Sequence, residues 1–128
     1  MTENSRLCLI VDDSNVVRKV ARRIAEDLGF HCMEAEDGQK ALDICVDNMP
    51  DVIILDWNMP VMNGYEFLLA VRKKDNGNHP KIIFCTTENE MDKIQQAMQS
   101  GADEYIMKPF DSEIIETKFM QIGLLEAS

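Results

Sequence analysis

The sequence predicts one doubly wound α/β domain, in which five parallel strands alternate with five helices. Three of the strand-like runs are apolar throughout, a pattern typical of parallel strands that are covered by helices on both faces. Helix-like repeats of apolar residues lie between the runs, and the connections are short. This alternation predicts a doubly wound sheet, and the commonest order of such a five-stranded sheet is 2-1-3-4-5.

Five strands follow from the apolar runs and their boundaries. The first, third and fourth are Leu7–Val11, Val52–Leu55 and Ile82–Cys85, and they contain no charged residue. The second, His31–Glu36, is more polar, so we expect it at an edge of the sheet. The fifth strand is Glu104–Met107.

The helices are recognised by apolar residues that repeat at spacings of three and four. Gly29, Pro50, the loop at 76–78 and Gly101 mark the ends of the first four helices. In chain order the stripes are Val17, Val20, Ala21, Ile24 and Leu28; Ala41, Leu42, Cys45, Val46 and Met49; Phe67, Leu68 and Val71; Met91, Ile94, Ala97 and Met98; and Ile115, Phe119 and Ile122. We expect amphipathic helices whose apolar faces cover the sheet.

Composition and charge narrow the possible functions. The 128 residues are 45% hydrophobic and 28% charged, which is typical of one soluble globular domain. The net charge of −10 argues against nucleic acid or an anionic membrane as a partner, because those surfaces require basic patches. No apolar run approaches the ~18 residues of a membrane span. The N-terminal MTENSR lacks the apolar core of a signal peptide, so we expect a cytoplasmic protein.

The cysteines predict small, reduced, buried side chains rather than a metal site. They are spread through the chain without a C-x-x-C pair, at Cys8, Cys32, Cys45 and Cys85. A zinc site would need closer spacing or histidine partners. His31 and His79 provide neither, and we expect both at the surface.

Three carboxylates predict a phosphate-handling site. Asp12 and Asp13 follow the first strand and Asp56 follows the third, and these strands are neighbours at the switch point of the predicted sheet. Converging carboxylates repel each other, so such a site needs a cation or raised pKa values. Oxygen ligands suit Mg²⁺, which binds one or two carboxylates, waters and phosphate oxygens.

A hydroxyl and an ammonium group are predicted at the same edge. The fourth strand ends in Thr86-Thr87 and the fifth in Lys108-Pro109. Three of the candidate site residues also have a structural alternative. Asp12 or Asp13 could cap the helix that follows, and Thr86 could simply pack within its strand.

The full set, in this order, resembles the receiver domain of bacterial two-component response regulators. The matching positions are Asp12, Asp13, Asp56, Thr86, Lys108-Pro109-Phe110 and the MPVMNG loop Met59–Gly64. The likeness runs from Leu7 to Leu125, and DWNMP and Tyr105 are most similar to single-domain chemotaxis regulators. It implies a flavodoxin-like (βα)₅ fold and transfer of a phosphoryl group from a histidine kinase phosphohistidine to an aspartate.

The resemblance implies a role for each acidic residue. Asp56 is the expected nucleophile and becomes 4-aspartylphosphate. Mg²⁺ is expected to bind Asp13, Asp56 and the backbone carbonyl of Asn58, and to bind Asp12 mainly through water. The side chains of Asn58 and Glu88 are expected to tune dephosphorylation. The protein would catalyse only its own phosphorylation and dephosphorylation, so it is not expected to be an enzyme.

The resemblance also implies a switch. Lys108 is expected to pair with Asp56 or Asp12 before phosphorylation and with phosphate afterwards, and its bond to Pro109 is expected to be cis. Thr86 would turn toward the phosphoryl group and Tyr105 would follow. Thr87 stands where the family most often has alanine, which could narrow access to the phosphoryl group.

Residues 1–128 are expected to form a single receiver domain without an output domain. Signalling would then use the surface of the fourth helix, fifth strand and fifth helix, where Met120 and Leu124 are candidates for exposure. Expected partners are a histidine kinase, a phospho-dependent target such as the flagellar motor switch or another adaptor, and in some pathways a phosphatase. Chemotaxis is favoured; a stress-response or phosphate-sink receiver is the alternative. A metal-dependent phosphohydrolase is disfavoured because the chain has no cap insertion to form a substrate pocket.

Overall fold

A computed structural model describes residues 6–87 and 90–125 as a parallel five-stranded sheet with helices on both faces. The strand order β2-β1-β3-β4-β5 is the predicted one. The strands are β1 (Leu7–Val11), β2 (His31–Ala35), β3 (Val52–Asp56), β4 (Lys81–Thr86) and β5 (Glu104–Met107). The helices are α1 (Asn15–Asp27), α2 (Gly38–Asp47), α3 (Gly64–Arg72), α4 (Met91–Gln99) and α5 (Ser112–Gln121).

The sheet separates two apolar clusters, because alternate side chains of each strand point to opposite faces. One cluster packs the face containing Leu55 and Phe84 against α2, α3 and α4. The other packs the face containing Ile54 and Cys85 against α1 and α5. The central strand β3 is buried along its whole length, as its uninterrupted apolar sequence predicts.

The strand ends position the polar residues of the predicted site. β3 extends one residue beyond the prediction and ends at Asp56, and β4 extends to Thr86. Asp56 is in register with Cys85, so the parallel ladder brings the ends of β3 and β4 to one edge. β2 lies at an edge as predicted and ends at Ala35 rather than Glu36.

Some residues of the predicted helical stripes do not face the sheet. Val20 of α1, Val46 of α2 and Met98 of α4 are exposed. The reason is angular: successive helix residues are rotated by about 100°, and only those near the centre of an apolar stripe reach the sheet. In α1 that centre is formed by Ala21, Ile24 and Ala25.

The exposure expected for Leu124 is wrong. Gly123 adopts a positive φ of 85°, and the next N–H, that of Leu124, donates to the Phe119 carbonyl at 2.8 Å. This helix ending is typical of glycine and turns the following residue back toward the helix. Leu124 is consequently buried in the same cluster as Phe119, whereas Met120 is half-buried.

The burial predicted for the cysteines is confirmed for three of the four, and the exposure predicted for the histidines is confirmed for both. Cys8, Cys45 and Cys85 are buried, Cys32 is half-buried, and all four are free thiols. Both histidines are exposed. Among residues 6–87 and 90–125, no helix is long and apolar enough to span a membrane.

Candidate functional site

Three carboxylates meet at the edge formed by the ends of β1 and β3. Asp12 and Asp56 are buried, with exposures of 3% and 7%, whereas Asp13 is exposed. One oxygen from each carboxylate lies within 4.8 Å of the others. The structure therefore brings together the three acids that the sequence places at these strand ends.

Lys108 connects the two buried acids. It follows β5, and its Nζ lies 2.9 Å from Asp12 Oδ2 and 2.8 Å from Asp56 Oδ1. Its backbone N–H donates to the Thr86 carbonyl at 2.7 Å, and its peptide bond to Pro109 is cis, as expected. The backbone contact fixes the start of the side chain, so the ammonium group reaches across β4 to both carboxylates.

Neither acid of the Asp12-Asp13 pair caps the following helix. Ser14 is the N-cap of α1, and its hydroxyl accepts the Val17 N–H at 3.3 Å. Asp12 Oδ1 accepts the Ser14 N–H at 2.9 Å, which orients the carboxylate into the site. Within the described part of the chain, no hydrogen-bond donor contacts the Asp13 carboxylate, so it is available to a ligand.

Burial makes Asp56 harder to ionise. Its pKa is raised to about 6 mainly by desolvation, the hydrogen bond from Lys108 opposes this, and the charges of Asp12 and Asp13 raise it further. Burial lowers the pKa of Lys108, but its bonds to Asp56 and Asp12 outweigh this and raise that pKa above its ordinary value. Lys108 therefore remains charged and offsets part of the negative charge.

The pKa of Asp56 predicts a pH-dependent stability. Because its folded value of about 6 exceeds the ordinary 3.8, the folded protein retains a proton that the unfolded chain releases between these values. Ionised Asp56 therefore destabilises the folded protein, and the whole of this effect is present above about pH 6. The destabilisation disappears as the pH falls toward 3.8, the pKa of Asp56 in the unfolded chain. In metal-free buffer, we expect Asp56→Asn to increase the free energy of unfolding by about 2 kcal/mol near neutral pH and by much less at about pH 4.

Thermal unfolding of the parent and Asp56→Asn in chelator at the two pH values measures this difference. Asp75→Asn removes an exposed charge from the loop after α3 and serves as the control. A similar stabilisation by Asp56→Asn at both pH values, or a loss of stability near neutral pH, would contradict the explanation.

The remaining oxygens of the site suit a hard divalent cation. Among residues 6–87 and 90–125, no donor contacts Asp56 Oδ2 and no backbone N–H donates to the Asn58 carbonyl. An open depression beside them is lined by Asp13, Asn58, Met59, Pro60 and Asn63. Carboxylate and carbonyl oxygens next to open space fit Mg²⁺, which keeps several of its waters.

A fourth acidic residue, which the sequence interpretation missed, lies beside Thr86. Glu90 is 7% exposed, and its carboxylate accepts a hydrogen bond from the side-chain amide of Asn58. The Thr86 side chain is fully buried, and its hydroxyl donates to the Thr87 carbonyl at 3.2 Å. The available sequence signal was an acid four residues after Thr86. Glu88, the other predicted tuning residue, lies outside the described residues.

Two aromatic side chains flank the site. Trp57 is buried beside Asp56 and packs on Phe84, with ring centroids 4.9 Å apart. Tyr105 is half-buried, is in register with Phe84 on the neighbouring strand, and has Lys118 Nζ 5.6 Å from its ring. Since Phe84 and Thr86 point to the same face of β4, Tyr105 shares a face of the sheet with Thr86.

The backbone of Asp56 is closely packed against the start of α3. The Gly64 N–H donates to the Trp57 carbonyl at 2.9 Å. A Cβ atom at residue 64 would overlap the Asp56 carbonyl oxygen and lie 2.9 Å from the Phe84 ring. Glycine is therefore required here by close approach, and the approach helps hold Asp56 in place.

Comparison with known proteins identifies a family for this chain. The response regulator receiver domain family matches residues 8–119. The chemotaxis protein CheY of Pseudomonas aeruginosa is 36% identical over 115 residues, which cover 89% of this chain and 93% of that protein. The chemotaxis protein CheY-3 of Vibrio cholerae is 35% identical over 115 residues, covering 89% and 88% of the two chains.

Comparison of the fold with solved structures identifies a relative of the same kind. The chemotaxis response regulator CheY4 of Vibrio cholerae superimposes with a TM-score of 0.86 at 34% identity, covering 93% of this chain and 99% of that structure. Sequence and fold thus agree over nearly the whole length of both chains. The chain belongs to the response regulator receiver domain family and is a CheY-like member of it.

Proposed function

We propose that Asp56 accepts a phosphoryl group from the phosphohistidine of a histidine kinase. The observation that carries this proposal is the state of the Asp56 carboxylate: Lys108 holds Oδ1 at 2.8 Å, while Oδ2 has no donor among the described residues. Oδ2 would attack phosphorus and form an O–P bond as the P–N bond breaks. The electron pair of that bond returns to the imidazole nitrogen, which leaves Asp56 as an acyl phosphate.

The carboxylate of Asp13 and the carbonyl of Asn58 have no hydrogen-bond donor among the described residues, which supports a role as metal ligands. We propose that Mg²⁺ is held by Asp13, Asp56 and the Asn58 carbonyl, with Asp12 mainly contributing through water. When bound, Mg²⁺ would offset negative charge on the phosphoryl oxygens. Asp12 is constrained by Ser14 and Lys108, which suits it to an indirect role.

Lys108 and Thr86 would stabilise the product. Lys108 supplies a positive charge that already contacts Asp56 and can move to a phosphoryl oxygen. Thr86 lies at the end of the next strand, and its hydroxyl would donate a hydrogen bond to another phosphoryl oxygen. Transition-state charge in phosphoryl transfer spreads over these oxygens, so donors of this kind lower the barrier.

The signal would leave through α4, β5 and α5. Tyr105 lies on β5 on the same face of the sheet as Thr86, so a movement of Thr86 can be transmitted to it. It is half-buried, which allows it to turn inward when space opens. We propose that this surface binds a phospho-dependent protein target.

Chemotaxis is the pathway best supported by the relatives. Both curated relatives described above are chemotaxis proteins, and this chain aligns with about nine-tenths of each. A stress-response or phosphate-sink receiver would use the same site, so the target distinguishes these alternatives. The open depression at Asp13 offers no enclosed substrate pocket, which disfavours a phosphohydrolase.

Magnesium dependence tests the proposal. With acetyl phosphate or a phosphorylated kinase, we expect the chain to gain one phosphoryl group in millimolar Mg²⁺ and none in chelator, as measured by intact mass. Trp57 adjoins Asp56, so its fluorescence should report Mg²⁺ binding directly. Asp13→Asn should weaken that binding by about tenfold or more, because it removes a ligand charge.

Asp75→Asn provides the matched control, since it removes a distant exposed charge. Phosphoryl incorporation that is equal with and without Mg²⁺ would contradict the proposed function. An unchanged Mg²⁺ titration in Asp13→Asn would contradict the assignment of that ligand.

A further inference from the structure

Glu90 is a buried acidic residue beside the site, and the proposed phosphoryl transfer does not use it. Its Oε1 lies 3.5 Å from the Thr86 hydroxyl and 3.4 Å from both the backbone nitrogen and the hydroxyl of Thr87. Its Oε2 accepts the side-chain amide of Asn58. One carboxylate thus contacts residues at the ends of two different strands, β3 and β4.

These contacts are not those of an ordinary helix cap. Glu90 occupies the N-cap position of α4, but its side chain makes no capping hydrogen bond to that helix. Its carboxylate instead contacts Thr86, Thr87 and Asn58. The backbone N–H of Glu90 donates separately to the Thr87 carbonyl at 3.0 Å. The side-chain contacts of Glu90 are therefore additional to this backbone hydrogen bond.

The carboxylate competes with a phosphoryl group for the same donor. A threonine hydroxyl carries one proton and donates to one strong acceptor at a time. In the structure the Thr86 hydroxyl donates to the Thr87 carbonyl at 3.2 Å, and Glu90 Oε1 lies 3.5 Å away as an alternative acceptor. To donate to a phosphoryl oxygen on Asp56, it must leave these acceptors. Two anionic acceptors at this site also repel each other.

We propose that Glu90 is a positioning residue that holds Thr86 and Asn58 in the unphosphorylated arrangement and opposes the switch to the phosphorylated one. This inference rests on the proposed phosphorylation of Asp56. Glu90 thus stabilises the unphosphorylated arrangement, and the interactions of a phosphoryl group with Thr86 must exceed that stabilisation before Thr86 moves. Removing its charge should favour the phosphorylated arrangement.

Beryllofluoride with Mg²⁺ is the probe, since it imitates an aspartyl phosphate without a covalent transfer. Its affinity is measured by Trp57 fluorescence in the parent, Glu90→Gln, Glu90→Ala and Asp92→Asn. Asp92→Asn removes an exposed charge from the first turn of α4 and is the matched control. We expect about fivefold tighter binding in Glu90→Ala, a smaller gain in Glu90→Gln, and none in Asp92→Asn.

A second readout reports the contact itself. The amide resonance of Thr87 should shift in both Glu90 variants in the absence of metal and beryllofluoride, because its N–H faces Glu90. Glu90→Gln retains the size of the side chain, so it preserves the test if Glu90→Ala is unstable. A purely structural role would lower the melting temperature of the variants without raising beryllofluoride affinity.

The outcomes separate this inference from the function on which it rests. If the parent binds beryllofluoride and both Glu90 variants bind equally or more weakly, the positioning role is wrong and the proposed function stands. An equal increase in beryllofluoride affinity in Asp92→Asn would also overturn the positioning role, since the increase would then come from the lower net negative charge and not from the contacts of Glu90. A parent that does not respond to beryllofluoride would overturn both proposals together.

Discussion

Asp56→Asn is expected to abolish phosphoryl incorporation from both acetyl phosphate and a phosphorylated histidine kinase. The substitution keeps the size of the side chain but replaces a carboxylate by an amide, which is a poor nucleophile and a weaker metal ligand. In the parent, the labelled bond should be lost in base and in hydroxylamine, and it should survive acid better than phosphohistidine. These properties belong to an acyl phosphate and identify the acceptor as a carboxylate.

Two variants make this result specific to Asp56. Lys108→Ala should still be labelled, because Asp56 forms the bond to phosphorus. In this variant, however, phosphorylation should no longer shift the NMR signals of Tyr105, because Lys108 is expected to stabilise the phosphoryl group and transmit its presence to that surface. Asp75→Asn should be labelled like the parent, since it lies in an exposed loop. Equal labelling of Asp56→Asn and the parent by both donors would show that the acceptor has been misassigned.

Gly64→Ala is expected to reduce stability and metal affinity together. The added methyl group would overlap the carbonyl oxygen of Asp56, and that oxygen belongs to the last residue of a buried strand. The backbone must shift to relieve the overlap, which should lower the free energy of unfolding by about 2–3 kcal/mol. Because the same shift displaces Asp56, Mg²⁺ affinity measured by Trp57 fluorescence should also fall.

Gly29→Ala separates the two effects. Gly29 has a positive φ of 97°, but no atom lies within 4 Å of a Cβ atom at that position. Alanine there should lower stability by about 1 kcal/mol through backbone strain alone and leave Mg²⁺ affinity unchanged. If Gly64→Ala lost stability while retaining parental Mg²⁺ affinity, the close approach would not position Asp56.

The fold could be predicted from local patterns. Buried parallel strands need apolar residues on both faces, so runs such as that of β3 are recognisable without knowledge of their neighbours. Helix periodicity and short connections then restrict the topology to a doubly wound sheet. The approach of Asp12, Asp13 and Asp56 followed from that topology, because parallel strands end at the same edge.

Exposure at the margins of the helices could not be predicted in the same way. Val20 and Val46 continue apolar stripes but lie in solvent, because the packing angle of each helix decides which part of the stripe reaches the sheet. Leu124 lies beyond the last helix and is buried, because Gly123 turns the chain back onto the core. Both outcomes depend on contacts with distant parts of the chain.

The sequence by itself determined the fold class, the sheet order and the residue types at the site, since these depend on periodicity and on which residues end each strand. Only the tertiary structure decided the hydrogen-bond partners. The sequence interpretation paired Lys108 with Asp56 or Asp12, and the structure shows that it contacts both at once. Glu90, which the sequence interpretation missed, contacts Asn58 and Thr86 rather than capping its own helix. The physical reason is that a buried polar group must find its partner in three dimensions, and neighbours in space need not be neighbours in sequence.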